Sequence, residues 1–216
     1  MSSNTETNYE NLVQKKPYLT KSELSLLLGK QGRNLDKKIL RLLKKNELIS
    51  LKKGLYIHPV YLALHKGSLE EYIANILYYP SYLSLEYVLQ KEGLIPEAVY
   101  TYTSITSKVP RLFSNKLGTF TYRHIKPTLF TGYSWVHFSE NYQIKIATRA
   151  KALFDFIYLK PMGQNTAVIS QALFEDLRIN WDNFSKKDII EFMQYATNSE
   201  SKKMMLIGKI VERRLS

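Results

Sequence analysis

The sequence predicts an α+β protein. Apolar residues between Thr20 and Lys45 recur every three or four positions, as they do in amphipathic helices. Between Val99 and Ala147 the period changes to two, as in strands, and from Arg149 onward the helical period returns. We therefore expect a small N-terminal domain, followed by a larger α+β domain with a mainly antiparallel sheet and C-terminal helices.

The positive charge of the chain is concentrated near its start. The 216 residues carry a formal net charge of +12. Residues 1–66 contain 13 Lys or Arg and 5 Asp or Glu, which gives a net +8 of that total. A concentrated positive field is typical of proteins that bind a polyanion, although a basic surface also serves solubility.

Several protein classes are excluded by composition. The absence of cysteine excludes a disulfide scaffold and a cysteine-ligated zinc site. No apolar run approaches the roughly 20 residues needed to span a bilayer. The first sixteen residues lack the apolar core of a signal peptide. We therefore expect a cytoplasmic protein with no membrane partner.

Two helices are predicted near the N-terminus. Thr20 and Glu23 have the spacing of a capping box at the start of the first helix, and Gly29 suits its end. The second helix spans about Asn34 to Lys45, with Leu35, Ile39 and Leu42 on one face. Its opposite face is almost purely basic, and repulsion between these cations is tolerable where phosphates supply the counter-charge.

A hairpin is predicted after the second helix. Two short β-prone runs, Leu48–Leu51 and Leu55–Ile57, flank Lys52, Lys53 and Gly54. Helix, turn, basic helix and basic hairpin is the element order of a winged helix-turn-helix, in which the second helix enters the DNA major groove and the hairpin contacts the backbone. The candidate DNA-binding residues are Lys30, Arg33, Asn34, Lys37, Lys38, Arg41, Lys44, Lys45, Lys52 and Lys53. The alternative is an α/β module whose basic helix is merely exposed.

We assign this domain to residues 1–66 and the larger α+β domain to residues 67–216. A linker is expected after Pro59, and Ser84 is placed to cap a helix over Leu85 to Lys91. The remaining predicted helices are Ser68 to Tyr78, Arg149 to Tyr158, Thr166 to Asp176, Lys186 to Thr197 and Ser201 to Leu215. The predicted strands are Val99 to Thr106, Arg111 to Phe113, Thr119 to Ile125, Trp135 to Phe138 and Tyr142 to Ala147.

The sequence contains no specific catalytic pattern. Its four histidines lack metal-ligand spacing, there is no glycine-rich phosphate loop, and Asp155 is an isolated acid. We expect no enzyme activity, catalytic residue, cofactor or metal. An alternative is an RNA- or DNA-binding or nucleic-acid-processing protein, in which Arg123, His124 and a group of tyrosines contact nucleic acid. The tyrosines are Tyr78, Tyr79, Tyr82, Tyr87, Tyr100 and Tyr102. Membrane-surface binding by residues 30–53 is a further alternative.

Five segments in order resemble the C-terminal domain of the AbiEi antitoxin family. They are Pro80–Leu89, Gly93–Tyr100, Thr103–Thr106, Gly118–Ile125 and Ala147–Asp155. Together with the N-terminal domain, the resemblance covers roughly residues 18–160. The predicted basic helix departs from the family in emphasis, because it is rich in Lys and poor in Arg.

The resemblance implies a function that the residue patterns alone do not. Family members are bacterial antitoxins of type IV abortive-infection systems, encoded beside a nucleotidyltransferase-type toxin. Their N-terminal domain binds inverted repeats in double-stranded promoter DNA and represses the operon. The larger domain neutralises the toxin and need not form a stable complex with it. The nucleic-acid-binding alternative given above has no toxin partner. The resemblance marks Ser84, Glu86, Arg123, His124, Lys126, Arg149 and Lys151 as motif residues of that domain.

Overall fold

The computed structural model describes residues 15–65, 67–139, 141–163 and 165–215, which form two compact units. The first comprises the described residues up to Ile73 together with Phe113–Gly118. The second comprises Ala74–Leu112 and the described residues from Thr119 onward. Residues 1–14 and Lys66 of the predicted first domain lie outside the described residues.

The first unit combines short helices with a three-stranded antiparallel sheet of order β1-β3-β2. The predicted capping box of Thr20 and Glu23 is confirmed, and Gly29 ends the first helix at a left-handed φ of 59°. Its elements are β1 (Leu19–Thr20), α1 (Lys21–Leu28), α2 (Gly32–Lys44), β2 (Ile49–Lys52), β3 (Leu55–Ile57), α3 (Pro59–Leu64) and the start of α4 (Ser68–Leu77).

Pro59 begins a helix, so the expected linker is wrong at this point. Proline is well tolerated in the first turn of a helix, where its missing N–H would have no partner. The His58 side chain accepts a hydrogen bond from the Val60 amide, with 3.3 Å between the nitrogens, and so caps α3. The sequence alone does not distinguish the two cases, because proline is common both in linkers and in the first turn of a helix.

The larger sheet is mixed in direction and has the order β6-β7-β5-β4-β9-β8. β5 pairs in parallel with β7, and β4 in parallel with β9, whereas β4 with β5 and β8 with β9 are antiparallel. The expected mainly antiparallel sheet is therefore replaced by a mixed one. Its strands are β4 (Ser81–Leu83), β5 (Thr101–Thr106), β6 (Arg111–Asn115), β7 (Gly118–His124), β8 (Tyr133–Ser139) and β9 (Tyr142–Ala147).

Helices of the second unit pack around α6 (Arg149–Leu159), whose residues from Ala150 to Asp155 are all buried. α6 packs against α5 (Leu85–Lys91) and α8 (Lys186–Asn198), and α8 packs against α9 (Lys202–Leu215). The predicted helix over 166–176 is divided into α7 and one π-helical turn. The helices are α5 (Leu85–Lys91), α6 (Arg149–Leu159), α7 (Thr166–Gln171), the π turn (Ala172–Asp176), α8 (Lys186–Asn198) and α9 (Lys202–Leu215), with 3₁₀ turns at Pro127–Leu129 and Trp181–Asn183.

Lys203 closes the C-terminus of α6. Its ammonium nitrogen donates to the carbonyl oxygens of Ile157, Tyr158 and Lys160 at 3.0, 2.8 and 2.9 Å. Carbonyls at a helix C-terminus lack intrahelical partners and carry partial negative charge, so a cation there is favourable. Partial burial nevertheless lowers the pKa of this lysine.

We expect Lys203→Met to lower the free energy of unfolding by about 1–2 kcal/mol, because it keeps the aliphatic stem and removes the donor to three carbonyls. Urea denaturation of the full chain measures the loss. Lys202→Met, at an exposed position on the same helix, is the matched control and should change stability by less than about 0.5 kcal/mol. Equal losses in both variants would contradict the capping role.

Candidate nucleic-acid interface

Helix α2 is oriented by an apolar stripe. Leu35, Ile39 and Leu42 are each at most 4% exposed. They pack with Leu19, Leu24, Leu48 and Tyr56 in one core cluster. Because these stripe residues lie four and three positions apart, they occupy one side of the helix. The other side of α2 is consequently directed away from the core of the first unit.

The outward side of α2 carries exposed cations that have no acidic partners in the described ranges. Asp36, the one acid on the helix, pairs with Lys21 at 2.5 Å. Lys45 pairs with Glu47 at 3.7 Å. In residues 15–65, 67–139, 141–163 and 165–215, no ion pair involves the remaining basic residues of the helix, Arg33, Lys37, Lys38, Arg41 and Lys44. All of these are exposed except the half-buried Lys38.

The hairpin of β2 and β3 carries two further lysines, Lys52 and Lys53, which differ in exposure. Gly54 follows them at a φ of 79°, a conformation that glycine adopts without strain. Lys53 is exposed, whereas Lys52 is half-buried with its ammonium 5.9 Å from the centre of the Phe113 ring. Lys30, before α2, is exposed, as is Asn34 on the helix. All ten predicted DNA-binding residues therefore lie within the first unit.

Sequence reasoning missed one cation of this unit, Lys116. It lies in the turn between β6 and β7, and its ammonium donates to the side-chain oxygen of Asn46 at 2.8 Å, two residues beyond α2. Asn115 beside it donates to the Leu51 carbonyl at 3.0 Å. No local pattern could have assigned Lys116 to this unit, because 70 residues separate it from Asn46.

In the second unit, two motif residues meet at a buried carboxylate. Asp155 accepts hydrogen bonds from the Lys151 ammonium at 2.6 Å, the Ser84 hydroxyl at 2.8 Å and the Tyr82 hydroxyl at 3.0 Å. The side chains of Lys151 and Asp155 are fully buried. Ser84 precedes α5, but its side chain makes no cap bond there. The predicted capping role is wrong because the hydroxyl donates to Asp155 instead.

The other motif residues do not join this network. Arg149 pairs with Glu92 at 2.9 Å. Arg123 donates to the Leu159 carbonyl at 3.3 Å, and His124 is exposed beside the Lys108 carbonyl at 3.1 Å. Lys126 is exposed and Glu86 is half-buried. The seven motif residues are thus distributed over several places rather than gathered in one site.

Burial dominates the protonation of the network. It raises the pKa of Asp155 more than Lys151, Ser84 and Tyr82 lower it, and it lowers the pKa of Lys151 against the attraction of Asp155. Burial and the neighbouring carboxylate also raise the pKa of Tyr82, so that its hydroxyl remains a donor. Both oxygens of Asp155 are hydrogen-bonded, which is the condition for keeping a buried charge pair in a folded protein.

Neither a scan of protein-family models nor a search of curated proteins finds a match for this chain. In the ranges that the structure describes, no helix is long and apolar enough to cross a bilayer. Nor do three or more His, Asp or Glu side chains there come together as a possible metal site. Function is therefore inferred from the residues and their geometry.

We expect Lys151→Met to lower the free energy of unfolding by about 3–5 kcal/mol, because it leaves Asp155 buried without its cation. The unpaired carboxyl has a folded-state pKa above its unfolded value, so the variant loses stability as pH rises from the unfolded pKa through the folded one. The deficit should therefore be larger at pH 8 than at pH 5 in urea denaturation.

The double variant Lys151→Met/Asp155→Leu removes both charges and should recover part of that stability. Lys209→Met, at an exposed position on α9, serves as the control for lysine removal. Coupling between the two side chains would be contradicted if Asp155→Leu lowered the free energy of unfolding as much in the Lys151→Met variant as it does in the parent chain.

Proposed function

We propose that the chain is a DNA-binding autorepressor of the AbiEi type, with a winged helix-turn-helix in its first unit and an antitoxin domain in its second. Its DNA partner is the inverted-repeat operator of its own promoter, in the cytoplasm. The single observation that carries the DNA-binding half is the exposed cationic side of α2, whose counterpart is the buried stripe of Leu35, Ile39 and Leu42. This segregation leaves the positive charge available to phosphates.

The order of elements supports the winged-helix assignment. Helix α1, a short turn and helix α2 precede the antiparallel hairpin of β2 and β3. In such domains the second helix enters the major groove and the hairpin contacts the neighbouring backbone. The exposed Lys53 suits the hairpin contact, and Lys116 extends the cationic surface at the end of α2.

The side chains of α2 divide between two kinds of contact. Arg33, Asn34 and Arg41 have the planar groups that bind base edges with two hydrogen bonds. The lysines act as point charges toward phosphates, which position the protein on DNA without reading sequence. With more lysines than arginines on the helix, we expect the phosphate contribution to affinity to be large and salt-dependent.

The antitoxin half of the proposal rests on the family resemblance. The partner it implies is a nucleotidyltransferase-type toxin, and neutralisation does not require a stable complex. Within the motif, Ser84 and Lys151 are bound to the buried Asp155, so their role is to hold the domain together. His124 and Lys126 are exposed, and these are the motif side chains available to act on a partner.

We expect the double variant Lys37→Ala/Arg41→Ala to bind duplex operator DNA at least tenfold more weakly than the parent chain, because two exposed cations are lost from the docking side of α2. Mobility-shift titration on the upstream promoter measures the affinity. The slope of log affinity against log salt should flatten by about 0.9 for each phosphate contact removed.

The matched control is Lys186→Ala/Lys187→Ala, which removes the same charge from exposed positions at the start of α8. It should leave duplex binding within about twofold of the parent, because both lysines belong to the second unit and not to the docking side of α2. Equal weakening in both double variants would show that net charge, rather than α2, drives binding.

Repression and neutralisation should separate genetically. We expect Lys37→Ala/Arg41→Ala to lose repression of a promoter–reporter fusion and still protect cells that express the neighbouring nucleotidyltransferase gene, because the altered residues lie in the first unit. Growth rescue on co-expression measures protection. Failure of the parent chain itself to rescue growth would reject the antitoxin half while leaving DNA binding intact.

A further inference from the structure

An aromatic cluster surrounds one lysine of the second unit. The ammonium of Lys145 on β9 lies 4.6 Å from the ring centre of Trp135, 5.0 Å from that of Tyr79 and 5.2 Å from that of Tyr133. Cations within about 6 Å of an aromatic ring centre are attracted to the ring face. We call Tyr79, Tyr133, Trp135 and Lys145 the lysine–aromatic cluster.

The cluster combines a buried lysine with exposed rings. Lys145 is 7% exposed, whereas Tyr79 is 66% and Trp135 56% exposed. Of the side chains in the described ranges, none accepts a hydrogen bond from the Lys145 ammonium or forms an ion pair with it. A large exposed aromatic surface beside a cation that has no anion is characteristic of a binding site rather than of a core.

Hydrogen bonds to the backbone of Lys145 hold the cluster in place. The side-chain amide of Asn75, itself buried, accepts from the Lys145 N–H at 2.7 Å and donates to the Lys145 carbonyl at 3.3 Å. On the other side, Lys145 is the register partner of Trp135 on β8. The Tyr79 carbonyl accepts from the Lys108 ammonium at 2.7 Å. A second cation is thereby fixed at the backbone of Tyr79, 5.7 Å from the ring centre of the neighbouring Tyr78.

The surrounding sequence is basic even though the second unit is only weakly so overall. Residues 98–154 contain eight Lys or Arg and a single Glu, Glu140. Lys108, Arg111 and Lys145 belong to this stretch and each lies 5.0–5.8 Å from a tyrosine ring centre of the second unit. Aromatic rings interleaved with unpaired cations are the two components that bind single-stranded nucleic acid.

We propose that the lysine–aromatic cluster binds single-stranded nucleic acid. Bases stack on the exposed faces of Trp135 and Tyr79. The exposed Lys108 binds a phosphate directly, and the buried charge of Lys145, which lies against the rings, adds to the attraction for the strand. A duplex would not fit this chemistry, because its base faces are already covered by neighbouring pairs. The cluster belongs to the second unit and the cationic side of α2 to the first, and the two bind different ligands. The proposal therefore does not depend on the proposed repressor function.

The test uses Trp135 as its own reporter. Trp181→Phe leaves Trp135 as the single tryptophan, and phenylalanine keeps the ring packing against Phe174 and Phe184. Titration with a twelve-nucleotide oligouridylate should quench the indole fluorescence saturably, because a stacked base quenches it. Tyr79→Ala and Lys145→Met should each weaken binding about tenfold, the scale of one lost stacking or phosphate contact.

Tyr100→Ala is the matched control. Tyr100 is 88% exposed and belongs to the same unit, and although the sequence-based alternative groups it with Tyr79, it is not a member of the lysine–aromatic cluster. It should leave the affinity unchanged. Anisotropy of a labelled strand on the chain with its native Trp181 repeats the comparison independently of that substitution. The proposal is overturned by an absence of quenching, by equal effects of Tyr79→Ala and Tyr100→Ala, or by equal affinity for uridine monophosphate and the strand.

The same titration separates this proposal from the repressor function. Lys37→Ala/Arg41→Ala should keep the quenching by oligouridylate, because those residues lie in the first unit. Quenching without any duplex operator binding by the parent chain would reject the repressor and retain the single-strand site. Loss of quenching in Lys37→Ala/Arg41→Ala would assign the strand to α2 and overturn the cluster.

Discussion

Burial of one stripe of aliphatic side chains determines what the first unit presents to its surroundings. Leu35, Ile39 and Leu42 must face the core, and burying three such side chains is worth about 1.5–3 kcal/mol each. Rotating α2 about its axis would expose these side chains and bury cations. Burying an unpaired cation costs far more free energy than a surface ion pair contributes. The direction of the basic side is therefore a consequence of packing, and any function of that side depends on the same core.

The second unit buries charged side chains, whereas α2 in the first unit exposes them. In the second unit a lysine and an aspartate are fully buried together, and the pair persists because two hydroxyl groups complete the coordination of the carboxylate. Gly132 lies so close to this region that a Cβ would collide with the Tyr195 hydroxyl and come within 2.9 Å of the Lys151 stem. The buried ion pair and the close-packed glycine therefore belong to one tightly packed region beside α6.

Much of the fold follows from local sequence, and the exceptions have physical causes. The capping box of Thr20 and Glu23, the left-handed Gly29 and the hairpin at Gly54 are set by near neighbours. The capping role predicted for Ser84 is wrong because its hydroxyl donates to Asp155, which is 71 residues away in sequence. Parallel pairing of β5 with β7 and the cluster at Lys145 likewise depend on the register between strands. The local hydrophobic pattern of the sequence does not determine that register. The basic side of α2, by contrast, is readable from helical spacing alone.

The first unit is discontinuous in sequence. Phe113–Gly118 belong to it, with Asn115 on the Leu51 carbonyl and Lys116 on Asn46. During synthesis these contacts cannot form until the chain has been made through Lys116, 59 residues beyond Ile57 at the end of β3. A fragment cut after the last residue of α3 would therefore lack its final intramolecular partners. The shortest fragment that contains the whole first unit must therefore extend through Gly118. A shorter fragment needs the Phe113–Gly118 turn added as a separate peptide.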